Sequence, residues 1–176
     1  MELTPAGRSK LNDLLLIQFQ QLYLGFDQAV LLSYVPLESK GEINTFPMSD
    51  YLLFRMPGLR VAYPVADLGA GHITAMLVNE DTAFVPGAYG IAEPEQGKVV
   101  APELIDLVFV PLLAMDRNGF RVGYGKGFYD RFLARCRPGV EMIGFSYFEP
   151  VDHIEDISHF DVPLTTGITP GAIYEF

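Results

Sequence analysis

The chain has 176 residues, a formal net charge of −10 and an isoelectric point of about 4.6. Hydrophobic residues make up 49% of the sequence and charged residues 19%, which excludes a disordered chain and predicts one domain with a substantial core. The acidic balance argues against a broad nucleic-acid surface, because such a surface requires basic charge. The single cysteine, Cys136, excludes an internal disulfide and a cluster of thiolate metal ligands. No apolar run is long enough to span a membrane, and no secretory signal pattern is present, so we expect a cytoplasmic protein.

The first predicted element is a helix that begins after Thr4, which is a plausible N-cap, with Pro5 at its first position. Leucine and phenylalanine recur at helical spacing from Leu11 to Leu22, and Gly25 ends the run. This apolar stripe predicts a helix face that packs on the core.

The next elements alternate between strands and a helix. Apolar runs at 29–35, 59–65 and 72–78 have the length and composition of strands. A short helix is predicted from a cap at Thr45 to about Met56, with Pro57-Gly58 as its stop. Residues 84–98 are rich in glycine and proline and predict a loop.

The clearest strand is 105–111, whose apolar residues are continuous, as in a parallel sheet that is covered on both faces. A glycine-rich segment at 119–132 follows it, and a helix is predicted at 128–136 and another strand at 141–148. This order predicts an α/β fold with a mainly parallel sheet flanked by helices. Ligands bind beyond the carboxyl ends of the strands in such sheets, so the glycine-rich segment lies where a ligand is expected.

Three glycines at every second position, Gly123, Gly125 and Gly127, surround Lys126 in that segment. Glycine lets a ligand approach the main chain, and successive N–H groups of such a loop can converge on an anion. A following helix would add its free N–H groups, and Lys126 would add a full charge. Asp130, one turn into that helix, is placed to hold a Mg²⁺ ion that bridges phosphates. The segment therefore predicts a phosphate site.

Half of the basic residues of the chain fall within 21 positions around this segment, and the only acid among them is Asp130. The basic residues are Arg117, Arg121, Lys126, Arg131, Arg135 and Arg137. We expect them to gather positive charge for an anionic ligand, although a solvated helix face is an alternative on the pattern alone. The segment is neither a P-loop nor the dinucleotide fingerprint, since its spacing is Gly-x-Gly-x-Gly.

The string "MDRNGFRVGYGKGFYDRFL" at 115–133 resembles the signature of the 5-formyltetrahydrofolate cyclo-ligase family, also called methenyltetrahydrofolate synthetases. Other stretches resemble family segments in the right order: "GEINT" at 41–45, "GIAEP" at 90–94, "IDLVFVP" at 105–111 and "HFDVPL" at 159–164. The resemblance runs from about residue 30 to residue 166. It implies a Rossmann-like three-layer sandwich of the NagB/RpiA/CoA-transferase-like type.

The resemblance also implies an ATP-dependent ring closure with Mg²⁺. The formyl oxygen of 5-formyltetrahydrofolate is phosphorylated by ATP, N10 attacks the activated carbon, and phosphate leaves to give 5,10-methenyltetrahydrofolate. The implied partners are ATP and the folate, with or without a polyglutamate tail, and we expect a monomer or weak dimer.

Individual residues match the family's site positions. The implied catalytic residues are Lys126 and Arg121. The implied ATP contacts are Arg121, Gly123, Gly125, Lys126, Gly127 and Tyr129. The implied folate contacts are Val35, Glu42, Tyr124, Gly125, Lys126, Gly127 and Phe128, with Glu42 on the pterin. The implied Mg²⁺ ligands are Asp130 and Asp161.

Three departures from the family pattern accompany these matches. Family members usually begin with a further helix that carries a Lys and an Arg, whereas Arg8 and Lys10 here are out of register with them. We therefore expect one domain over residues 1–176 without that basic helix. The insertion at 37–41 predicts a displaced Glu42, and Thr165 stands where the family has a second acid.

These departures leave two alternatives open. One is a nucleotide- or folate-binding protein that has lost catalysis. The other is an α/β protein of the same fold that acts on a sugar phosphate, although the sequence shows no acid–base pair tied to the glycines.

Overall fold

The structure, a computed structural model, describes residues 4–37 and 40–176 and has mixed α and β secondary structure. The helices in the described residues are α1 (Pro5–Phe19), α2 (Phe46–Arg55) and α3 (Phe128–Leu133). The strands are β1 (Val30–Leu32), β2 (Arg60–Asp67), β3 (His72–Leu77), β4 (Phe84–Pro86), β5 (Ala92–Pro94), β6 (Lys98–Val100), β7 (Leu107–Val110), β8 (Ala114–Met115), β9 (Arg121–Val122), β10 (Glu141–Phe145), β11 (Thr166–Ile168) and β12 (Ile173–Glu175). None of the helices in these residues is long and apolar enough to cross a membrane.

Eight strands form the main sheet, in the order β12-β11-β10-β7-β1-β2-β3-β6. The five central strands, from β11 to β2, pair in parallel, while β12, β3 and β6 are antiparallel at the edges. The predicted class, α/β with a large and mostly parallel sheet, is confirmed. The predicted alternation of strands with helices is wrong between β2 and β3, because their short connection permits only antiparallel pairing.

Helix α1 begins as predicted, and the Thr4 hydroxyl oxygen accepts a hydrogen bond from the Gly7 N–H at 3.2 Å. The helix ends at Phe19 rather than near Gly25. The apolar side chains that continue the helical spacing, Leu22 and Leu24, pack on the core from a non-helical segment. Periodicity alone does not distinguish these two ways of burying leucine.

Several other predicted boundaries also change. The predicted loop at 84–98 contains β4 and β5 and the start of β6, and the glycine-rich region contains the short hairpin β8–β9. Helix α3 ends at Leu133, three residues before the predicted end. Helix α2 and strand β7 agree with their predictions within two residues.

Two apolar cores lie on opposite faces of the sheet. Leu107 and Phe109 of β7 pack in the core that contains α1 and α2, whereas Val108 and Val110 pack in the core that contains α3. Successive side chains of a strand point to opposite faces, so a strand that is buried on both sides is apolar throughout. This burial explains the continuous apolar run that predicts the strand from sequence.

Candidate functional site

A cleft of about 660 Å³ lies in the described part of the chain beside the carboxyl ends of β1 and β7. Its walls are formed by the loop after β1, the β2–β3 hairpin, residues 88–93, residues 120–130 and residues 154–161. Every residue that the sequence analysis selected for a site lines this cleft: Val35, Glu42, Arg121, Gly123, Tyr124, Gly125, Lys126, Gly127, Phe128, Tyr129, Asp130 and Asp161. The structure brings them together, while the role of each stays a prediction.

Residues 123–127, which we call the glycine loop, expose their main chain to the cleft. Gly125 and Gly127 have positive φ angles of 73° and 64°, which disfavour any residue with a side chain. A methyl group added to Gly123 or Gly125 would meet nothing within 4 Å. Among the described residues, the N–H groups of residues 123–126 donate no hydrogen bond within the chain. These N–H groups are therefore available to an anion.

The expected concentration of basic charge at the cleft is only partly present. Arg117 pairs with Asp152 at 3.0 Å and Arg137 pairs with Asp106 at 2.9 Å, so two of the six basic residues are neutralised elsewhere. The acid that pairs with a basic side chain is the one that the fold brings near it, which need not be close in sequence. The prediction of a single charge cluster of six is wrong.

Three basic residues line the cleft: Arg121, Lys126 and Lys40. Lys126 is exposed on the glycine loop. Lys40 follows the first strand, and the sequence analysis missed it because a lone lysine in a loop gives no signal. Five acidic residues also line the cleft, so positive charge is confined to these three side chains and the lining as a whole is not positive.

Arg121 is nearly buried, with 6% of its side chain exposed, and it connects three segments. Its Nη2 donates to Asp130 Oδ1 at 2.9 Å, and its Nη1 donates to the Val162 carbonyl at 2.5 Å. The Val162 N–H donates back to Asp130 Oδ1 at 3.1 Å. Strand β9, helix α3 and the segment of Asp161 are thus held at one corner of the cleft.

The two predicted metal ligands meet the requirements of Mg²⁺ in kind and number. Asp161 Oδ2 accepts a hydrogen bond from the Ser158 N–H at 2.6 Å, which fixes that carboxylate in a local turn. Within residues 4–37 and 40–176, no group of three or more His, Cys, Asp or Glu side chains forms a metal cage. Mg²⁺ is usually held by one or two carboxylates together with water and substrate phosphates, so Asp130 and Asp161 fit that ion.

Glu42 lines the same cleft, and a main-chain N–H group nearby in the sequence holds its carboxylate. Its Oε2 accepts a hydrogen bond from the Leu37 N–H at 2.6 Å. Burial and the nearby Glu42 carboxylate raise the pKa of Tyr124 to about 12. Burial and Glu42 also raise the pKa of Tyr129, against the lowering effect of Arg121. Two neutral phenols therefore lie near the carboxylate that is predicted to hold the pterin.

A buried network of hydroxyl groups fixes both ends of the loop that carries Glu42. Ser33 Oγ lies 3.3 Å from Thr45 Oγ1 and 3.3 Å from Ser49 Oγ. The Thr45 hydroxyl donates to the Tyr34 carbonyl at 3.2 Å, and the Tyr34 hydroxyl donates to the Ile43 carbonyl at 3.1 Å. The sequence analysis predicts Thr45 as a helix cap, but its side chain makes no capping bond and is instead fully buried in this network.

Asp116, the second residue of the string at 115–133 that resembles the family signature, is buried and has a structural environment. Its Oδ1 accepts the N–H groups of Asn118 and Phe120 at 2.9 and 3.0 Å, and its Oδ2 accepts that of Ile154 at 3.2 Å. These bonds join the β8–β9 hairpin to the wall formed by residues 154–161. An aspartate before an Asn-Gly pair is a turn signal, which could have identified this arrangement from sequence.

The sequence analysis also missed two residues of the 87–94 hairpin. Tyr89 lines the cleft, is 58% exposed, and is the one non-glycine residue with positive φ in the described chain, at 56°. Glu93 lines the cleft, and its Oε1 accepts the Ala66 N–H at 3.1 Å. A methyl group at Gly87 would lie 2.3 Å from the Glu93 carboxyl carbon, so a side chain there would displace the Glu93 carboxylate.

The departures from the family pattern have different outcomes. Thr165 Oγ1 donates to Glu141 Oε2 at 2.9 Å and is not among the residues that line the cleft. The insertion before Glu42 falls partly on residues 38 and 39, which lie outside the described residues, as do residues 1–3 at the expected boundary with an upstream helix.

Comparisons with known proteins point to one family. A model of the 5-formyltetrahydrofolate cyclo-ligase family matches residues 24–166. The chain is similar to 5-formyltetrahydrofolate cyclo-ligase of Escherichia coli K12, at 28% identity over 84% of this chain and 80% of the relative. It is also similar to that of Mycolicibacterium smegmatis, at 34% identity over 78% of this chain and 72% of the relative.

Two solved structures resemble the fold. The NMR structure of Aquifex aeolicus 5,10-methenyltetrahydrofolate synthetase has a TM-score of 0.79 and 27% sequence identity, over 98% of this chain and 84% of that chain. The 5,10-methenyltetrahydrofolate synthetase of Mycoplasma pneumoniae has a TM-score of 0.71 at 22% identity, over 94% of this chain and 88% of that chain, and supports the fold alone.

Proposed function

Because the chain belongs to the 5-formyltetrahydrofolate cyclo-ligase family, we propose that it converts 5-formyltetrahydrofolate to 5,10-methenyltetrahydrofolate with consumption of ATP. The family and the class of enzyme that the sequence predicts are confirmed by this membership. One observation supports the proposal most directly. A single cleft holds both the carboxylate of Glu42 and a glycine loop whose N–H groups at 123–126 make no hydrogen bond within the described residues.

The nucleotide is assigned to the glycine loop. Its free N–H groups and the Lys126 ammonium would surround the phosphates of ATP and neutralise the charge that develops on the transferred group. Positioning and electrostatic stabilisation are most of what a protein supplies to phosphoryl transfer. Asp130 and Asp161 would hold Mg²⁺, which supplies further charge neutralisation between phosphate oxygens when it is bound.

The folate is assigned to the part of the cleft that Glu42 and Tyr124 border. A carboxylate accepts two N–H bonds from the edge of an amino-pyrimidinone ring, which suits the pterin. Val35 and Phe128 line the same cleft and provide apolar surface for the rings. With the pterin on Glu42, the formyl group would react beside the glycine loop.

The reaction follows in two steps from this placement. The formyl oxygen attacks the terminal phosphorus of ATP, the bond from that phosphorus to the bridging oxygen breaks, and ADP leaves. N10 then forms a bond to the formyl carbon and loses its proton, while the carbon–oxygen bond breaks and phosphate leaves with the electron pair. Lys126 would neutralise both the transferred and the departing phosphate.

Arg121 has a different role in this proposal from the direct ATP contact that the family resemblance implies. Both of its terminal nitrogens are engaged by Asp130 and the Val162 carbonyl. We propose that it orients Asp130 so that the second carboxylate oxygen remains available to the metal ion.

The remaining features are also proposals. We propose one domain, because the two cores share a single sheet, and a three-layer sandwich of the NagB/RpiA/CoA-transferase-like type. We further propose a cytoplasmic monomer or weak dimer that accepts the folate with or without a polyglutamate tail.

The test is incubation of the chain with 5-formyltetrahydrofolate, ATP and Mg²⁺ while the absorbance of the methenyl product is followed. We expect product only when all three are present, and product formation that is about 10²–10³-fold slower from Lys126→Ala. Lys98→Ala changes an exposed lysine on β6 outside the cleft and is the matched control. Binding of both ligands without product would contradict the proposed activity and favour a protein that has lost catalysis.

A further inference from the structure

Arg131 of α3 links the glycine loop to the β2–β3 hairpin. Its Nε donates to the Gly71 carbonyl at 2.7 Å, and its Nη2 donates to the Lys126 carbonyl at 2.7 Å. Its guanidinium carbon lies 5.5 Å from the centre of the Phe128 ring, within cation–π range. One side chain therefore contacts the hairpin, the loop and the first residue of the helix.

The glycine loop has few other restraints. Among the described residues, the bond from Arg131 to the Lys126 carbonyl is the one hydrogen bond made by the main chain of residues 123–126. A methyl group at Gly123 or Gly125 would meet nothing within 4 Å, so packing does not hold these residues either. Glycine has more accessible backbone conformations than any other residue, and a loop with this composition is mobile unless it is anchored.

The surroundings of Arg131 are shaped for a guanidinium group. A methyl group at Gly127 would lie 2.8 Å from Arg131 Nη1, so Gly127 leaves room for the arginine in addition to its positive φ. The anchor on the far side, Gly71, belongs to the turn that joins two strands of the main sheet. A planar fork with several donors can satisfy two carbonyls at once, whereas a lysine ammonium lacks that fixed geometry.

We propose that Arg131 is a positioning residue that holds the glycine loop in its phosphate-binding shape. It does not line the cleft, and it acts through the main chain of Lys126. Without it, ATP would have to order the loop on binding, whereas the folate, which meets the loop at Tyr124 but is also held by Glu42 outside the loop, would depend on this restraint less. The identity of the ligand, ATP, rests on the proposed function. The restraint of the loop rests on the hydrogen bonds of Arg131 alone.

The test compares Arg131→Ala and Arg131→Lys with Arg135→Ala, which removes an exposed arginine just beyond the end of α3. The first measurement is the ¹⁵N order parameter of the loop amides without ligand. We expect values near 0.85 in the unmodified chain and below about 0.6 in Arg131→Ala, as for rigid and flexible backbone. Loop order parameters that stay at the unmodified value in Arg131→Ala would overturn the proposal.

The second measurement is the KM for each substrate. We expect Arg131→Ala to raise the KM for ATP by roughly tenfold to a hundredfold, the scale of misplaced positioning groups, and to raise the KM for 5-formyltetrahydrofolate by a clearly smaller factor. The KM of Arg131→Lys for ATP should lie between those of the unmodified chain and Arg131→Ala. The KM of Arg135→Ala should match that of the unmodified chain. A lower melting temperature with an unchanged ratio of the two KM values would indicate a merely structural arginine and would also overturn the proposal.

The two proposals fail in different ways. If the unmodified chain neither binds ATP nor forms product, the proposed function is wrong, and the order parameters still decide whether Arg131 restrains the loop. If the unmodified chain is active and Arg131→Ala retains its KM for ATP, the inference about Arg131 is wrong alone.

Discussion

Replacement of Arg121 by alanine distinguishes a residue that orients Asp130 from a direct contact to ATP. The change removes two charge-assisted hydrogen bonds, to Asp130 and to the Val162 carbonyl. Bonds of this kind contribute about 1.5–3 kcal/mol each, and breaking a buried ion pair costs about 3–5 kcal/mol. Asp130 is 21% exposed and regains some water, so we expect the low end, about 3 kcal/mol of unfolding free energy.

The assay is urea unfolding followed by far-ultraviolet circular dichroism, because the chain contains no tryptophan. A loss of about 3 kcal/mol corresponds to a fall in melting temperature of roughly 6–12 °C for a chain of this size. Asp130→Asn and the double variant complete a cycle that isolates the coupling between the two side chains, which we expect to exceed about 1 kcal/mol.

If Arg121 contacts ATP directly, Arg121→Ala would weaken ATP binding and leave the unfolding free energy close to that of the unmodified chain. Additive effects of the two substitutions on stability would also refute the proposed orientation of Asp130 by Arg121.

Four further predictions concern the cleft. Lys126→Ala should lower kcat by about 10²–10³ with an unchanged circular dichroism spectrum, and an unmodified kcat would contradict the phosphate assignment. Glu42→Gln should weaken folate binding by about 1.5–3 kcal/mol in calorimetric titrations without affecting ATP, whereas Glu95→Gln, an exposed control, should change neither. Gly123→Ala should leave the melting temperature unchanged but weaken ATP binding roughly tenfold, because its methyl group points into open space that the phosphates would fill. The pKa of Tyr124 is raised to about 12, so the folded chain keeps this proton after the unfolded chain begins to lose it near pH 10. The free energy of unfolding, measured in urea, should therefore fall as the pH rises from 10 to 12. The fall should be less steep in Tyr124→Phe.

The sequence by itself determined the elements whose signals are local. The continuous apolar run of β7 predicts a strand buried on both faces, because each face of the sheet has its own core. The three alternating glycines with Lys126 predict a main-chain anion site, because positive φ and open space are properties that glycine alone provides. The family strings then identified residues that all line one cleft.

Only the tertiary structure decided how the charges and the short strands are arranged. Six basic residues that are close in sequence diverge in space, since Arg117 and Arg137 pair with acids that come from distant segments. Arg121 and Arg131 donate to carbonyls of Val162 and Gly71, which lie 41 and 60 positions away in the chain. Such partners have no local pattern in the sequence, because a hydrogen bond depends on which backbone groups the fold leaves unpaired and within reach.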